Sequence, residues 1–107
     1  MATPIQGCCN LIDPAMSEED AAVVADRFRA LADPTRVRML NLLARNPSLC
    51  VCDMQANFEL AQPTISHHLS LLKKAGLVDS EVRGRWAFYR AKPEAITELA
   101  RVLEVKQ

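Results

Sequence analysis

The sequence lacks the features of several large classes of protein. Its three glycines, Gly7, Gly76 and Gly84, are too widely spaced to form a phosphate-binding loop. No apolar run approaches the roughly 18 residues that span a bilayer. The N-terminal segment has no basic residue and no apolar stretch, so we expect no secretory signal there. We therefore expect a cytoplasmic protein with no membrane partner.

Catalytic patterns are also missing. We find neither a nucleophile paired with a base nor a pair of carboxylates in a credible cleft, so we predict that the protein is not an enzyme. The length of 107 residues fits one domain. Because so small a domain buries a limited core, association with a second copy would enlarge that core.

The net charge of zero argues weakly against binding to nucleic acid, but charge is segregated along the chain. Residues 1–20 carry four acids and no lysine or arginine. Residues 61–92 carry six cations against two acids, which leaves a local net charge of +4. Such a basic segment is typical of phosphate binding, although an ordinary solvated surface gives the same pattern.

The four cysteines form two pairs, Cys8 with Cys9 and Cys50 with Cys52. In a reducing compartment, paired cysteines are more often metal-binding or redox-active than structural disulfides. Neither pair is expected to close on itself without strain, because disulfide geometry is specific. The two pairs therefore indicate a thiolate site.

The chain divides into an N-terminal arm, residues 1–16, and a folded domain, residues 17–107. The arm contains prolines and a glycine and shows neither a helical nor a strand period. Ser17 is predicted to cap the first helix, and Asp33-Pro34 to begin the second. The predicted buried stripes are Ala21, Val24, Ala25, Phe28 and Leu31 on the first helix, then Val37, Leu40, Leu43 and Ala44 on the second, with Arg36, Arg38 and Arg45 facing out.

Two further helices follow in the middle of the chain. Ser48 is predicted to cap a short third helix that runs to about Asn57 and carries Cys50 in its first turn. A brief turn then leads to a fourth helix, from Gln62 to about Lys74.

A hairpin and a last helix complete the domain. Gly76 is predicted to stop the fourth helix in a left-handed conformation. Residues 77–82 and 86–90 form the strands of the hairpin, and Pro93 begins the last helix. The predicted buried stripe of the last helix is Ile96, Leu99, Ala100 and Leu103.

Two helices joined by a short turn and followed by a basic hairpin match a winged helix-turn-helix, a mainly α fold with a small β-hairpin (α+β). Ile65, Leu69 and Leu72 anchor one face of the fourth helix and leave the other free to enter the major groove of DNA. His68 is expected to pack, and it cannot chelate one ion together with its neighbour because adjacent helical residues diverge. The predicted DNA contacts are Gln62, Thr64, Ser66, His67, Ser70, Lys73, Arg83 and Arg85.

Three segments resemble the ArsR/SmtB family of metal-responsive repressors: residues 30–43 (ALADPTRVRMLNLL), 49–54 (LCVCDM) and 62–78 (QPTISHHLSLLKKAGLV). The resemblance extends from about residue 24 to residue 89. It implies a homodimer, built on the first and last helices, that binds a pseudo-palindromic operator in double-stranded DNA and releases it when an inducer binds. The residues consistent with that dimer interface are Phe28, Ile96, Leu99 and Leu103.

The segment Leu-Cys-Val-Cys-Asp resembles the thiolate box of the family, and the arm is similar to that of cadmium-, lead- and some arsenic-sensing members. The last helix contains no histidine or cysteine, so the family's other type of inducer site is not expected there. Because residues i and i+2 of a helix point about 200° apart, Cys50 and Cys52 share an ion only if Cys50 lies in a frayed first turn. One of these two is otherwise a bystander. The predicted metal ligands are Cys8, Cys9, Cys50 and Cys52.

The number of thiolates bears on the identity of the ion, since soft thiolates select soft ions. Three thiolates suit As(III), Sb(III), Bi(III) or Pb(II), whereas four suit Cd(II) or Zn(II) in a tetrahedron. The adjacent pair Cys8-Cys9 fits a trigonal site more easily than a tetrahedral one. It also departs from the spaced arm cysteines expected of cadmium sensors. The pattern therefore favours As(III) or Sb(III) as inducer, with Cd(II), Pb(II) or Zn(II) as alternatives.

Two alternative functions use the same fold. A thiol redox-sensing repressor would form a disulfide between the arm and the box in place of a metal site. A winged-helix module that binds only protein would need neither the basic hairpin nor the polar face of the fourth helix.

Overall fold

The structure, a computed structural model, describes residues 16–104. Along the chain its elements are α1 (Glu18–Ala30), α2 (Pro34–Ala44), β1 (Leu49–Cys50), α3 (Val51–Phe58), α4 (Gln62–Lys74), β2 (Val78–Arg83), β3 (Trp86–Ala91) and α5 (Pro93–Val102). The predicted mainly α fold with a β-hairpin is confirmed. Within this described part, no helix is long and apolar enough to cross a membrane. The predicted arm, apart from its last residue, lies outside the described residues.

The helix boundaries follow the local signals in the sequence. The Ser17 Oγ accepts a hydrogen bond of 3.0 Å from the backbone N–H of Asp20, and caps α1. The Asp33 carboxylate accepts one of 3.1 Å from the backbone N–H of Arg36, and Pro34 occupies the first position of α2. Gly76, with φ of +80°, follows the end of α4. These three boundaries are confirmed.

The predicted start of the third helix is wrong. Leu49 and Cys50 form strand β1, which pairs antiparallel with Tyr89 and Phe88 of β3, so α3 begins only at Val51. The sheet therefore has three strands in the order β1-β3-β2. Cys50 is the N-cap of α3 and has extended backbone, with φ −85° and ψ 165°. The local propensity for a Ser48 cap yields here to pairing with a strand that is distant in sequence.

The core is organised around α4. Its residues Ile65, Leu69 and Leu72 are fully buried, as predicted. They share one hydrophobic cluster with Met39 and Leu43 of α2, together with residues of every other helix. The α4 helix thus has one face that is fixed by packing and one that is free.

The predicted stripe of α2 is partly wrong. Met39 is fully buried, whereas Val37 is 48% exposed and Ala44 is also exposed. The helix turns its Met39–Leu43 face inward because it packs against both α4 and β3. Arg36, predicted to face out, is half-buried, and its Nε donates a hydrogen bond of 2.6 Å to the Ala30 carbonyl at the end of α1.

The first and last helices meet through an ion pair whose arginine is buried and whose glutamate is half-buried. Arg27 is buried, and its Nη1 lies 2.9 Å from the Glu98 carboxylate of α5, while its Nε donates to the Ala75 carbonyl at 3.3 Å. The predicted buried stripe of α1 omits Arg27 and includes Ala21 and Ala25, which are exposed.

The predicted dimer residues differ in their surroundings within one chain. Phe28 and Ile96 are half-buried, and Leu99 is buried in the core. Leu103 is 56% exposed and lies just beyond α5. Ala100, which the predicted stripe of α5 included, is exposed, and the buried residues of this helix are Ala95, Leu99 and Val102.

The cap at Asp33 gives the stability of the fold a pH dependence. The backbone N–H of Arg36 donates to the Asp33 carboxylate and lowers the pKa of Asp33 below its ordinary value of 3.8. A carboxylate whose pKa is lower in the folded than in the unfolded state stabilises the fold at pH values above its unfolded-state pKa. This contribution is lost as the pH falls through the folded-state pKa. We expect Asp33→Asn, which retains a neutral cap, to be less stable than the wild type at neutral pH. The difference should vanish in acid.

Urea denaturation from neutral pH to below 3.8 tests this expectation. Glu104→Gln, which removes an exposed carboxylate beyond α5, is the matched control. A stability difference between Asp33→Asn and the wild type that stays constant across this range would contradict the assignment.

Candidate nucleic-acid interface and thiol site

Helices α3 and α4 form a helix-turn-helix. The turn between them, residues 59–61, begins at Glu59 in the left-handed conformation with φ of 53°. This change of direction sets α4 across α3, and the two helices pack against each other. The predicted turn and the predicted bounds of α4 are confirmed.

The free face of α4 is polar. Gln62, Thr64, His67, Ser70 and Lys73 are exposed, and Ser66 is half-buried. The hydroxyl of Ser70 donates to the His67 carbonyl at 2.8 Å, which keeps it on the helix surface. The first turn of this face carries no charge, so its donors and acceptors are available to a neighbouring surface.

Two contacts tie α4 to its surroundings through polar side chains. The Lys73 Nζ donates a hydrogen bond of 2.7 Å to the Ser80 hydroxyl of β2, which joins the end of α4 to the hairpin. On the other side, the Nδ1 of half-buried His68 lies 3.3 Å from the Arg36 guanidinium. His68 therefore packs against α2, as the sequence predicts.

The hairpin β2–β3 has the form of a wing. Arg83 pairs with Trp86, so that Gly84 and Arg85 make a two-residue turn. Gly84 has φ of +63°, which tight hairpin turns favour. The Arg83 guanidinium lies 4.8 Å from the centre of the Phe88 ring and 3.4 Å from the Glu81 carboxylate. Arg85 is exposed at the tip.

A thiol cluster lies where β1 passes into α3. Cys50 and Cys52 are joined by a disulfide, with their Cα atoms 5.3 Å apart. The prediction that neither cysteine pair closes on itself is wrong for this pair. The two side chains converge because Cys50 is extended and precedes the helix, so the divergence of residues i and i+2 within a helix does not apply.

Asp53 completes this cluster. Its carboxylate accepts a hydrogen bond of 3.1 Å from the Cys50 backbone N–H, and the ligand atoms of Cys50, Cys52 and Asp53 lie within 4.8 Å of one another. Cys50 is only 5% exposed, whereas Cys52 and Asp53 face solvent. The other two predicted ligands, Cys8 and Cys9, lie outside the described residues.

Sequence reasoning missed three residues of these sites: Asp53, Ser80 and Phe88. Asp53 had a signal, because a carboxylate three residues after an N-cap is the pattern of a capping box, and it would have placed the cap at Cys50. Ser80 and Phe88 had none, since their roles come from contacts with Lys73 and Arg83 in space.

Comparisons with known proteins agree with this geometry. Residues 33–80 match the model of the arsR family of bacterial regulatory proteins. An HTH-type transcriptional regulator of Methanocaldococcus jannaschii is 44% identical over 80 residues, which cover 75% of this chain and 90% of that protein. An arsenic resistance transcriptional regulator of Pseudomonas putida is 48% identical over 67 residues, which cover 63% of this chain and about half, 52%, of that protein. A cadmium resistance transcriptional regulatory protein of Listeria innocua is 36% identical over 75% of this chain and 67% of that protein.

Solved structures share the fold. An ArsR-like transcriptional regulator from Rhodococcus superposes with a TM-score of 0.69 at 32% identity, over 76% of each chain. The homodimeric winged helix-turn-helix DNA-binding domain of a possible ArsR-family regulator from Mycobacterium bovis gives 0.68 at 28% identity, over 82% of this chain and 84% of that one.

The fold and these relatives define a DNA-binding transcriptional regulator of the winged helix-turn-helix class. Within that class, the chain belongs to the ArsR family. The family consists of regulators, not enzymes.

The difference in exposure between Cys50 and Cys52 predicts that their thiols react at unequal rates. After reduction, we expect iodoacetamide to modify Cys52 before Cys50, because reagent reaches the exposed sulfur directly and the buried one only when the chain opens. Tandem mass spectrometry of the digested protein measures both rates. In urea the two rates should converge, which provides the control. Equal rates in the folded protein would contradict the buried position of Cys50.

Proposed function

We propose that this protein is a repressor that binds operator DNA as a dimer and is released when a soft metal or metalloid ion binds its cysteines. The observation that carries the proposal is the convergence of Cys50, Cys52 and Asp53 at the first helix of the DNA-binding motif. The names of two relatives, an arsenic resistance regulator and a cadmium resistance regulator, support the same class of ligand.

DNA reading is assigned to α4 and the wing. The exposed polar face of α4 enters the major groove, where small uncharged side chains donate to and accept from base edges. In this proposal the contacts are those that the sequence predicts: Gln62, Thr64, Ser66, His67, Ser70 and Lys73 from α4, and Arg83 and Arg85 from the wing. The Lys73–Ser80 hydrogen bond leaves further ammonium protons to donate to a phosphate.

The dimer places two recognition helices in successive major grooves, about 34 Å apart. The homodimeric neighbour from Mycobacterium bovis supports this assembly. We assign the interface to α1 and α5. Exposed Leu103 and half-buried Phe28 and Ile96 have surface to bury against a second copy, whereas Leu99 contributes mainly to its own core.

The inducer site joins the folded domain, residues 17–107, to the arm, residues 1–16. When reduced, Cys50 and Cys52 offer two thiolates from neighbouring positions, and the exposed side of Cys52 is where an ion enters. In a three-thiolate site, Cys8 or Cys9 supplies the third sulfur. The donor set fits a soft ion because three thiols and arsenous acid, As(OH)₃, give a tris-thiolate and three waters. Three-thiolate coordination favours As(III) or Sb(III); a fourth sulfur would favour Cd(II) or Zn(II).

The site can act on both the recognition helix and the wing because Cys50 adjoins an element that contacts each of them. It caps α3, which packs on α4, and it lies opposite Phe88 in the wing strand. Phe88 in turn carries the Arg83 guanidinium on its ring. Drawing Cys50 toward the arm therefore shifts the recognition helix and the wing together. A coupling of about 1–3 kcal/mol lowers operator affinity about 5- to 150-fold.

The test begins with selection of a duplex from a random-sequence library by the reduced protein. Fluorescence anisotropy then measures release by As(III), Sb(III), Cd(II), Pb(II) and Zn(II). We expect As(III) to weaken binding about 5- to 150-fold. Serine at Cys50 or Cys52, and at the arm position that ligates, should abolish release without weakening binding in the absence of ion.

Ser48→Ala is the matched control, since it alters the same loop without removing a sulfur. Because coupling is reciprocal, the duplex must weaken ion binding by the same factor. Equal ion affinity with and without the duplex would sink this mechanism, and failure to enrich any duplex would contradict DNA binding itself.

A second candidate function is favoured by the Cys50–Cys52 disulfide itself. In a thiol redox-sensing repressor, the exposed Cys52 thiolate attacks a peroxide to give a sulfenic acid and one hydroxide or alkoxide. The Cys50 thiol then displaces water and closes the disulfide. The disulfide of this alternative lies within the box, in place of the link between arm and box that the sequence predicts.

Peroxide with all metals chelated distinguishes the two functions. If redox sensing operates, peroxide should release the duplex and a thiol reductant should restore binding, even when Cys8 and Cys9 are both serine. The ion-sensing function predicts no release by peroxide in that variant. Mass spectrometry, which detects the loss of two hydrogens on disulfide formation, confirms the redox state in each measurement.

A further inference from the structure

The wing tip carries apolar surface that its own chain does not cover. Trp86, the single tryptophan of the sequence, is 56% exposed, and Val82 is 74% exposed. Space around the tip is open, since a Cβ added at Gly84 would meet no atom within 4 Å. A large aromatic ring left half in water on a small domain is typical of a contact surface.

The register of the hairpin sorts these residues between its two faces. Trp86 lies opposite Arg83, and side chains of paired residues share a face. Phe88, two residues along β3, lies on the same face and holds the Arg83 guanidinium over its ring. Val82 belongs to the other face. The indole is therefore set beside cations, with Arg83 across from it and Arg85 next to it in the turn.

We propose that Trp86 is a DNA contact in its own right, which places its indole in the minor groove beside Arg85 and favours A·T base pairs there. This inference rests on the proposed DNA-binding function. Charge complementarity selects the occupant: exposed Arg85 at the tip matches the negative potential of a narrow minor groove. The carboxylate of Glu81, on the same face, is paired with Arg83.

The chemistry of indole fits this groove. Its flat ring is thin enough for a groove about 6 Å wide and packs against the apolar sugar walls. Its Nε1–H is a donor only, and the floor of the groove offers acceptors at A·T pairs. At a G·C pair the guanine amino group is itself a donor, so it crowds the ring and gives no partner. This contact neutralises no phosphate and is therefore insensitive to salt.

The single tryptophan reports on its own contact. With the reduced protein and the library-selected duplex, we expect emission from Trp86 to change on binding and to be shielded from acrylamide. Trp86→Ala should lose about tenfold in affinity, and Trp86→Phe should recover part of the loss. Val82→Ala, on the opposite face of the hairpin, should bind within about twofold of the wild type.

Salt dependence separates the indole from its arginine neighbour. The slope of log affinity against log salt should be unchanged in Trp86→Ala, whereas Arg85→Ala should reduce it by about 1. A reduced slope in Trp86→Ala would mean that the substitution acts on phosphate contacts, and would overturn the proposal.

Base analogues test the minor-groove assignment. An inosine·cytosine pair is a G·C pair that lacks the guanine amino group. Its minor groove therefore presents the same acceptors as that of an A·T pair. At the base pairs under the wing, the wild type should tolerate inosine·cytosine in place of A·T and lose affinity on G·C. Trp86→Ala should lose this discrimination.

Two outcomes would refute this role while leaving the proposed function intact. One is tight, ion-sensitive DNA binding with unchanged Trp86 emission. The other is shielding of Trp86 by self-association without DNA, which would assign the surface to a second copy of the chain. Absence of any duplex binding would instead contradict the proposed function.

Discussion

The pairing of a two-residue strand with the wing is the contact on which the arrangement of this protein depends. Leu49 and Cys50 lie opposite Tyr89 and Phe88, residues almost forty positions later in the chain. This pairing keeps the segment before α3 extended, so the helix starts at Val51 and Cys50 becomes its cap. It also attaches the helix-turn-helix to the hairpin. The DNA-binding elements therefore form one mechanical unit with the thiol cluster at its joint.

Burial of one face of α4 gives this unit its rigidity. Ile65, Leu69 and Leu72 are fully buried, and side chains of this kind each contribute about 1.5–3 kcal/mol on leaving water. Because these apolar residues supply the buried contacts of the helix, most side chains of the opposite face are not needed for packing. Its polar side chains are thus available for recognition, and the Lys73–Ser80 hydrogen bond keeps the wing in register with them.

The hairpin connects the cysteine cluster to the exposed residues of the wing tip. Midway along β3, Tyr89 and Phe88 pair with the strand that carries Cys50, and the tip presents Trp86 and Arg85. Between them, the Arg83 guanidinium rests on the Phe88 ring directly opposite Cys50. Phe88, Arg83 and Trp86 therefore form a chain of neighbouring residues that leads from Cys50 to the proposed minor-groove surface. In the proposed function, this geometry is what would connect ion binding at the cysteines to release of DNA.

Much of this protein is determined locally by its sequence. The caps at Ser17 and Asp33, the bounds of α4 and the turn at Gly84 each depend on a few neighbouring residues, and all agree with the structure. The apolar period of α4 likewise predicts its buried face, because helical geometry alone relates Ile65 to Leu69.

Tertiary structure decided what depends on partners distant in sequence. The burial of Met39 in place of Val37, and of Arg27 against Glu98, follows from which elements surround each helix, and periodicity cannot supply that information. The same holds for the thiol cluster. The sequence shows that Cys50 and Cys52 are close neighbours, but pairing with β3 decides that Cys50 is extended, and only an extended Cys50 brings its sulfur to that of Cys52.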